Sequence, residues 1–448
     1  MKEFINYLGF TTILILVQSF SVLGQTDTST ISLSLEKAVD LGLEQRFDIK
    51  NQELAVQISR SNLEATQSKN LIQITGSVDM RYNGRLATNI IPAGAFNNPD
   101  PIASRFGTKY NTTASLTATQ NIYNAGVSGD KLVNQAQVEF NQVSLEKYKV
   151  DAKALIIQSY YQVLLNKEQI ELTQENIKNL TEIYKQGNNE FANGTLIQTD
   201  LTRYQLDLLN AQNQLQTAQR NYDNSIIYLK VQLAIEPGVN IKLTDELENL
   251  IPNTDNLIGQ NDFNVEQRYE YKIEKSSLRI NEFQVKKISR SYLPSIYLYG
   301  TAADQNLNNK FTTFSNQHWY PYNYFGIHAD IPIFDGFGKS KNMTAYRLSS
   351  LQNENNLKNL KYTLYYESIN TQKLLKDAYD QYKNSKDNYD LAKNIMQLDQ
   401  KRYQEGTITF AALKNTEYSL QNAQNNYINS VYNVLIAQVN YKKAKGEL

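Results

Sequence analysis

The spacing of apolar residues along this chain changes period several times, and the changes occur in the same order twice. From about Leu33 to Lys69, Leu35, Ala38, Val39, Leu43, Leu54 and Ile58 fall on one helical face. Ile74 to Leu86 then alternates strictly. Ile74, Gly76, Val78, Met80, Tyr82, Gly84 and Leu86 take one face, and Thr75, Ser77, Asp79, Arg81, Asn83 and Arg85 the other. Such alternation predicts a strand with one apolar and one wet face. A loop with Asn97-Asn98-Pro99-Asp100-Pro101 precedes a return strand, Thr113 to Tyr123, with Ala114, Leu116, Ala118 and Ile122 on its apolar side. After Asn124-Ala125-Gly126 a helical period runs to about Gln186, roughly 60 residues or about 90 Å. A turn at Asn193-Gly194 leads into a second long helix. Its residues Leu201, Tyr204, Leu208, Ala211, Leu215, Ala218, Tyr222, Ser225 and Leu229 step by three and four, a coiled-coil seam that Glu236-Pro237-Gly238 should stop.

The second half repeats these events. A helix is expected between about Val265 and Ser291, then a strand with Ile296, Leu298, Gly300 and Ala302 on one face. A polar loop from Asn306 to Asn316 leads to a partner strand. There Phe325, Ile327, Ala329, Ile331 and Ile333 alternate with Tyr324, Gly326, His328 and Asp330. A long helix to about Arg402, a turn at Glu405-Gly406 and a last helix from Leu413 to Ala444 follow. Identities match the order of elements. Phe191-Ala192-Asn193-Gly194-Thr195-Leu196 corresponds to Tyr403-Gln404-Glu405-Gly406-Thr407-Ile408 at an offset of 212 residues. Glu44-Gln45-Arg46-Phe47-Asp48-Ile49-Lys50 corresponds to Glu266-Gln267-Arg268-Tyr269-Glu270-Tyr271-Lys272, and Ile122-Tyr123-Asn124-Ala125 to Ile333-Phe334-Asp335-Gly336. A duplicated chain builds a quasi-symmetric object rather than two domains with separate tasks. We expect a first repeat over 25–240, with a strand pair at 72–123 and a helical hairpin at 127–235. A second repeat covers 241–448, with a strand pair at 293–334 and a hairpin at 338–445.

Composition narrows the function. Forty-five basic and 45 acidic residues give zero net charge, so the basic field that nucleic-acid binding needs is missing. There is no cysteine and there are two histidines, His318 and His328, so neither a metal nor a catalytic constellation is expected, and no cofactor. Gly126, Gly129, Gly336 and Gly338 lack the Gly-Lys-Ser/Thr of a phosphate loop and read as bends. At the start, Lys2 precedes an apolar run from Leu8 to Phe20, and Val22-Leu23-Gly24 supplies small or apolar residues. The run is short for a membrane span and is followed by the polar stretch Gln25 to Thr30. It reads as a signal peptide, residues 1–24, cleaved after Gly24. Without a cysteine the mature chain is not expected to carry a lipid anchor.

Four strands with an apolar face do not make a soluble sheet beside helices of this length, and they are too few to close a membrane barrel. Their apolar faces are therefore expected to meet lipid. Because unpaired strand edges are intolerable there, several chains must pool strands into one barrel. The pattern alone permits a dimer with eight strands as well as larger rings. Trp319, Tyr320, Tyr322 and Tyr324 at one strand end suit an interfacial aromatic girdle. A small soluble β-hairpin cap on a coiled coil is the rival architecture, and a periplasmic coiled-coil adaptor or scaffold the rival function.

The order helix, strand pair, long hairpin, twice over, resembles the TolC-like outer-membrane efflux proteins. The motifs that carry the resemblance are Phe191-x-x-Gly194-Thr195 and Tyr403-x-x-Gly406-Thr407, each followed by a Leu/Ala heptad helix. The junctions Ile122-Tyr123-Asn124-Ala125-Gly126 and Ile333-Phe334-Asp335-Gly336-Phe337-Gly338 add to it. The resemblance covers the whole mature chain. It implies a mainly α fold with membrane β-strands, in which helical hairpins form a periplasmic α-barrel. Four transmembrane strands per chain would be pooled in a homotrimer with a twelve-stranded barrel. It also implies an outer-membrane conduit, not an enzyme, working with a periplasmic adaptor and an inner-membrane pump in efflux or type I secretion. The turns Asn193, Gly194, Thr195, Leu196 and Glu405, Gly406, Thr407, Ile408 become adaptor-docking tips as well as turns. Asp200 and Tyr403 match an acidic and a tyrosine position that link neighbouring helix pairs in the closed gate, although Asp200 reads equally well as a helix-start charge. Ala412, Asn415 and Ile408 depart from the family's charged positions after the second tip, so an acidic cation-binding ring is not expected from the second repeat.

Overall fold

A computed structural model describes residues 30–251, 263–311 and 319–448. The expected signal peptide and His318 lie outside the described residues. In chain order the elements are β1 (Thr30–Leu33), α1 (Leu35–Gln45), α2 (Phe47–Ser68), β2 (Gln73–Tyr82), β3 (Thr88–Ile91), β4 (Ile102–Arg105), β5 (Tyr110–Tyr123), α3 (Ala125–Ala192) and α4 (Gln198–Gln232). The second half follows with β6 (Asn240–Leu243), α5 (Tyr269–Arg290), β7 (Ser295–Asn308), β8 (Trp319–Asp330), α6 (Gly338–Gln404) and α7 (Phe410–Lys445). At 68 and 67 residues, α3 and α6 each extend about 100 Å. Among the described residues no helix is long and apolar enough to cross a membrane.

The alternation read from sequence becomes one sheet, in the order β2-β5-β7-β8, antiparallel throughout. Its register aligns like with like. Ile74, Ala118, Gly300 and Phe325 form one rung, and Thr75, Thr117, Thr301 and Tyr324 the next. On the wet face hydroxyls join strands, Ser77 to Ser115 at 2.8 Å and Thr117 to Thr301 at 3.1 Å. The apolar face is bare: Phe325 is 92% exposed, and Ile74, Val78 and Ile327 are exposed beside it. The same register corrects the aromatic girdle. Tyr320, Tyr322 and Tyr324 pair with Gln305, Ala303 and Thr301, so they share the wet face, and only Trp319 lies on the apolar one.

Other expectations shift at their ends. Leu33 belongs to β1, which pairs in parallel with β6, rather than to a helix. The predicted first helix is broken at Arg46, whose ψ of 127° is extended. The first strand stops at Tyr82 and a small β3–β4 hairpin occupies the loop, because Asn83 turns away to bond Lys109 and Thr108. β8 ends at Asp330, leaving Ile331 and Ile333 exposed in the approach to α6. α4 ends at Gln232, before Pro237, where Ala234 takes a left-handed φ of 52°.

The repeated arginine motif is a staple. Arg46 pairs bidentately with Asp48, at 2.9 and 2.6 Å, and donates to Gln232 Oε1 at 2.5 Å. Arg268 bonds Glu270 at 3.1 Å and the Ala444 carbonyl at 2.5 Å, with Glu367 at 3.3 Å. Gln232 and Ala444 are themselves related by the 212-residue offset. In each repeat, then, an arginine at a helix break ties the start of the repeat to the end of its hairpin. Hydrogen bonding to Arg46 holds the Asp48 carboxyl below its ordinary value. For Glu270, burial would raise the pKa, but Arg268 outweighs it and the net shift is downward.

The apolar core lies where α3 and α7 meet beneath β1 and β6. Tyr160, Leu229, Leu233 and Leu435 are fully buried there. The Tyr160 hydroxyl donates to Asp245 at 2.8 Å, and the same carboxylate caps α1 by accepting the Leu35 amide at 2.7 Å. Burial and the Asp245 carboxylate push the Tyr160 phenol well above its ordinary pKa.

Candidate functional site: the helical tips

The two tips are the same motif in detail. Asn193 and Glu405 close the preceding helices in right-handed conformation, and Gly194 and Gly406 follow at φ 74° and 71°. The Gly194 amide donates to Phe191 and the Thr195 amide to Glu190, while Gly406 and Thr407 donate to Tyr403 and Arg402. This is the Schellman closure, in which a left-handed residue lets the last carbonyls be satisfied. Only glycine adopts that φ without a Cβ penalty. Each threonine reinforces the closure: the hydroxyls of Thr195 and Thr407 donate to the same Glu190 and Arg402 carbonyls, both at 2.9 Å. Gly-Thr is therefore a structural pair at both ends. Beyond it Leu196 and Ile408 stay half-buried, while Asn193, Thr195, Glu405 and Thr407 are exposed.

The two gate candidates are not joined to each other. Asp200 sits in the first turn of α4 and pairs with Arg203 on its own helix at 3.2 Å. Tyr403 packs edge-on against Phe410, with ring centroids 6.2 Å apart.

Near the tips two contacts between the hairpins stand out, and apolar spacing does not reveal them. Tyr204 of α4 is 2% exposed and its ring lies 3.8 Å, centroid to centroid, from that of Phe410 at the start of α7. The ring fits because residue 187 is glycine, where a Cβ would stand 2.5 Å from it. Its hydroxyl is buried without a well-formed hydrogen bond. Burial, then Tyr403, Glu190 and Asp200, push its pKa far up. About one helical turn further, Lys414 of α7 bridges Asp207 of α4 at 3.1 Å and Glu417 at 2.8 Å, and its ammonium lies 5.0 Å over the Tyr418 ring. Burial would lower the Lys414 pKa, but the two carboxylates outweigh it and the net shift is upward. Tyr204 was legible only as one more seam residue. Asp207 and Lys414 lie on different hairpins, where charge spacing within a helix gives no signal.

The hairpins also change partners along their length. α3 bonds α7 through Gln158–Asn440 and Gln169–Asn425, whereas nearer the tips α4 does so through Gln214–Gln421 and Asp207–Lys414.

Comparison with known proteins bears on this architecture. No curated protein matches the sequence. Solved structures do. The Campylobacter jejuni CmeC outer membrane channel is 18% identical with a TM-score of 0.71, covering 92% of this chain and 85% of its own. The open state of the Neisseria gonorrhoeae MtrE outer membrane channel is 14% identical with a TM-score of 0.72, covering 92% and 88%. CusC is 15% identical with a TM-score of 0.72, covering 92% and 91%. These likenesses establish a shared fold. The model of the outer membrane efflux protein family matches residues 38–233 and 281–447, most of the chain. A channel family rather than an enzyme family is therefore indicated, and this chain belongs to the outer membrane efflux protein family.

Proposed function

We propose that three copies of this chain close into a passive conduit through the outer membrane and periplasm, serving an inner-membrane pump through a periplasmic adaptor. The observation that carries the reading is a four-stranded sheet with a bare apolar face set on helices about 100 Å long. The sheet has two free edges, β2 and β8. In lipid those edges must pair, and since they differ, copies join head to tail, which gives a ring. The helices agree. α6 exposes Leu391, Ile395 and Leu398, and α4 exposes Leu206 and Leu209. Three copies give the twelve strands that the resemblance implies.

At the opposite end from the sheet, the exposed residues of Asn193–Leu196 and Glu405–Ile408 supply two related turns per copy for an adaptor to grip. Opening separates the hairpins, so the contacts that must yield are Tyr204–Phe410 and Asp207–Lys414, together with any link that Asp200 or Tyr403 forms to a neighbouring copy. Electron microscopy of the detergent-extracted outer-membrane fraction tests the proposal. A three-fold tube longer than about 100 Å is expected. A monomeric or two-fold rod in the soluble fraction would overturn it in favour of a periplasmic scaffold.

A further inference from the structure

The wet faces of the two strand pairs differ in chemistry. On β2 and β5 that face carries Thr75, Ser77, Thr113, Ser115, Thr117 and Thr119. On β7 and β8 it carries Tyr297, Tyr299, Tyr320, Tyr322, Tyr324 and His328. Hydroxyl-bearing small residues already satisfy a wet sheet face, so folding alone does not call for the rings. They are also in contact. Tyr297 lies 5.0 Å from His328 and 6.4 Å from Tyr299, Tyr299 lies edge-on to Tyr324 at 6.0 Å, and Tyr324 stacks on Tyr322 at 6.3 Å. The Tyr299 ring occupies the space over Gly326, where a Cβ would stand 2.9 Å from its hydroxyl. From His328 to Tyr320 the track covers about 27 Å of strand, roughly the thickness of a hydrocarbon core. Tyr322 and Tyr324 remain 42% and 49% exposed.

The strands of the track carry acidic side chains but no Lys or Arg, and Asp330 accompanies His328 at 3.1 Å. Arg81, on the wet face of β2 and so beside the next copy's β8 in the proposed ring, is accompanied by Asp79 at 3.7 Å. Electron-rich ring faces attract cations, most strongly where water is partly excluded. We propose that the lumenal face of β7 and β8 is a binding track for organic cations with aromatic bodies, which pass from ring to ring along the pore. This rests on the conduit reading, since the wet face must line a lumen.

The test is block of ionic current through the purified protein in planar bilayers by tetraphenylphosphonium, with the isosteric anion tetraphenylborate as comparison. The cation is expected to block at concentrations at least tenfold below the anion. Replacing Tyr299, Tyr322 and Tyr324 together by Ser should weaken cation block about tenfold or more, and replacing them by Phe should leave it within about twofold. If the triple serine variant does not assemble, Tyr322→Ser alone should weaken block about threefold. A conducting pore that the cation does not block, or blocks equally in the serine variants, overturns the track and leaves the conduit standing. A protein that forms no pore overturns both.

Discussion

The two repeats share a frame and differ in what they expose. In the first, α3 runs through the middle of the molecule and carries buried residues at intervals from Ala125 to Gly187. In the second, the corresponding α6 buries only Leu364, Ser368, Leu375 and Met396. The tips close by identical hydrogen bonds, and the arginine staples sit at equivalent breaks. Duplication thus preserved the joints, where geometry admits few residues. The surfaces between joints were free to diverge, one becoming core and the other staying largely exposed, one strand pair hydroxylated and the other aromatic.

Substitutions at matched positions can break or sharpen this comparison. The largest effect should come from the α6 edge. Leu398→Asp places a charge among the exposed leucines proposed to meet the next copy, so trimer should be lost on size-exclusion chromatography. Leu364, already buried within the chain, should instead cost about 2–5 kcal/mol as Leu364→Ala without altering stoichiometry. The staples come next. Arg268 is 4% exposed at its side chain and Arg46 15%, so Arg268→Ala should destabilise by about 2–3 kcal/mol and Arg46→Ala by about 1 kcal/mol in thermal melts. Equal losses would mean that the difference in burial carries no weight. Gly194→Ala and Gly406→Ala should each cost about 1–2 kcal/mol, and by the same amount, since their φ values and bonding are alike. Lys414→Met leaves two carboxylates without their partner near the tips, and single-channel recording should show a higher open fraction than wild type.

The smallest effect is the response to acid. Glu270 and Asp48 both have depressed folded pKa values. Their contribution is present above the unfolded carboxylate value, about 4, and is lost as pH falls through the folded value. Melting temperature should therefore drop below about pH 4 in wild type and less steeply in Arg268→Ala. Unchanged acid sensitivity in that variant would detach the staple from the titration.

The tips, the strand alternation and the long helices were legible because each rests on local chemistry: a glycine at a left-handed position, a period of two, a period near 3.6. The break at Arg46 was not. Apolar spacing stays helical on both sides of it, and the partner that makes the break worthwhile, Gln232, is 186 residues away. The tyrosines of β8 were misplaced for a related reason. Read as a cluster at a strand end they suit a girdle, and only the pairing of Tyr324 with Thr301 shows which face they take. The clasp of Tyr204 on Phe410 depends on an approach between hairpins that neither helix encodes alone.

The exchange of partners along α7 makes the first hairpin a lever. Its fulcrum lies below Gln169–Asn425, where α3 gives way to α4. Gly194, just past the end of α3, is 25 residues beyond Gln169, an arm of roughly 38 Å. A turn of about 10° about that fulcrum would sweep the tip through about 6–7 Å while barely stretching the bonds above it. A pull at the far end would thus work with mechanical advantage, and the packed core around Tyr160 would stay at rest.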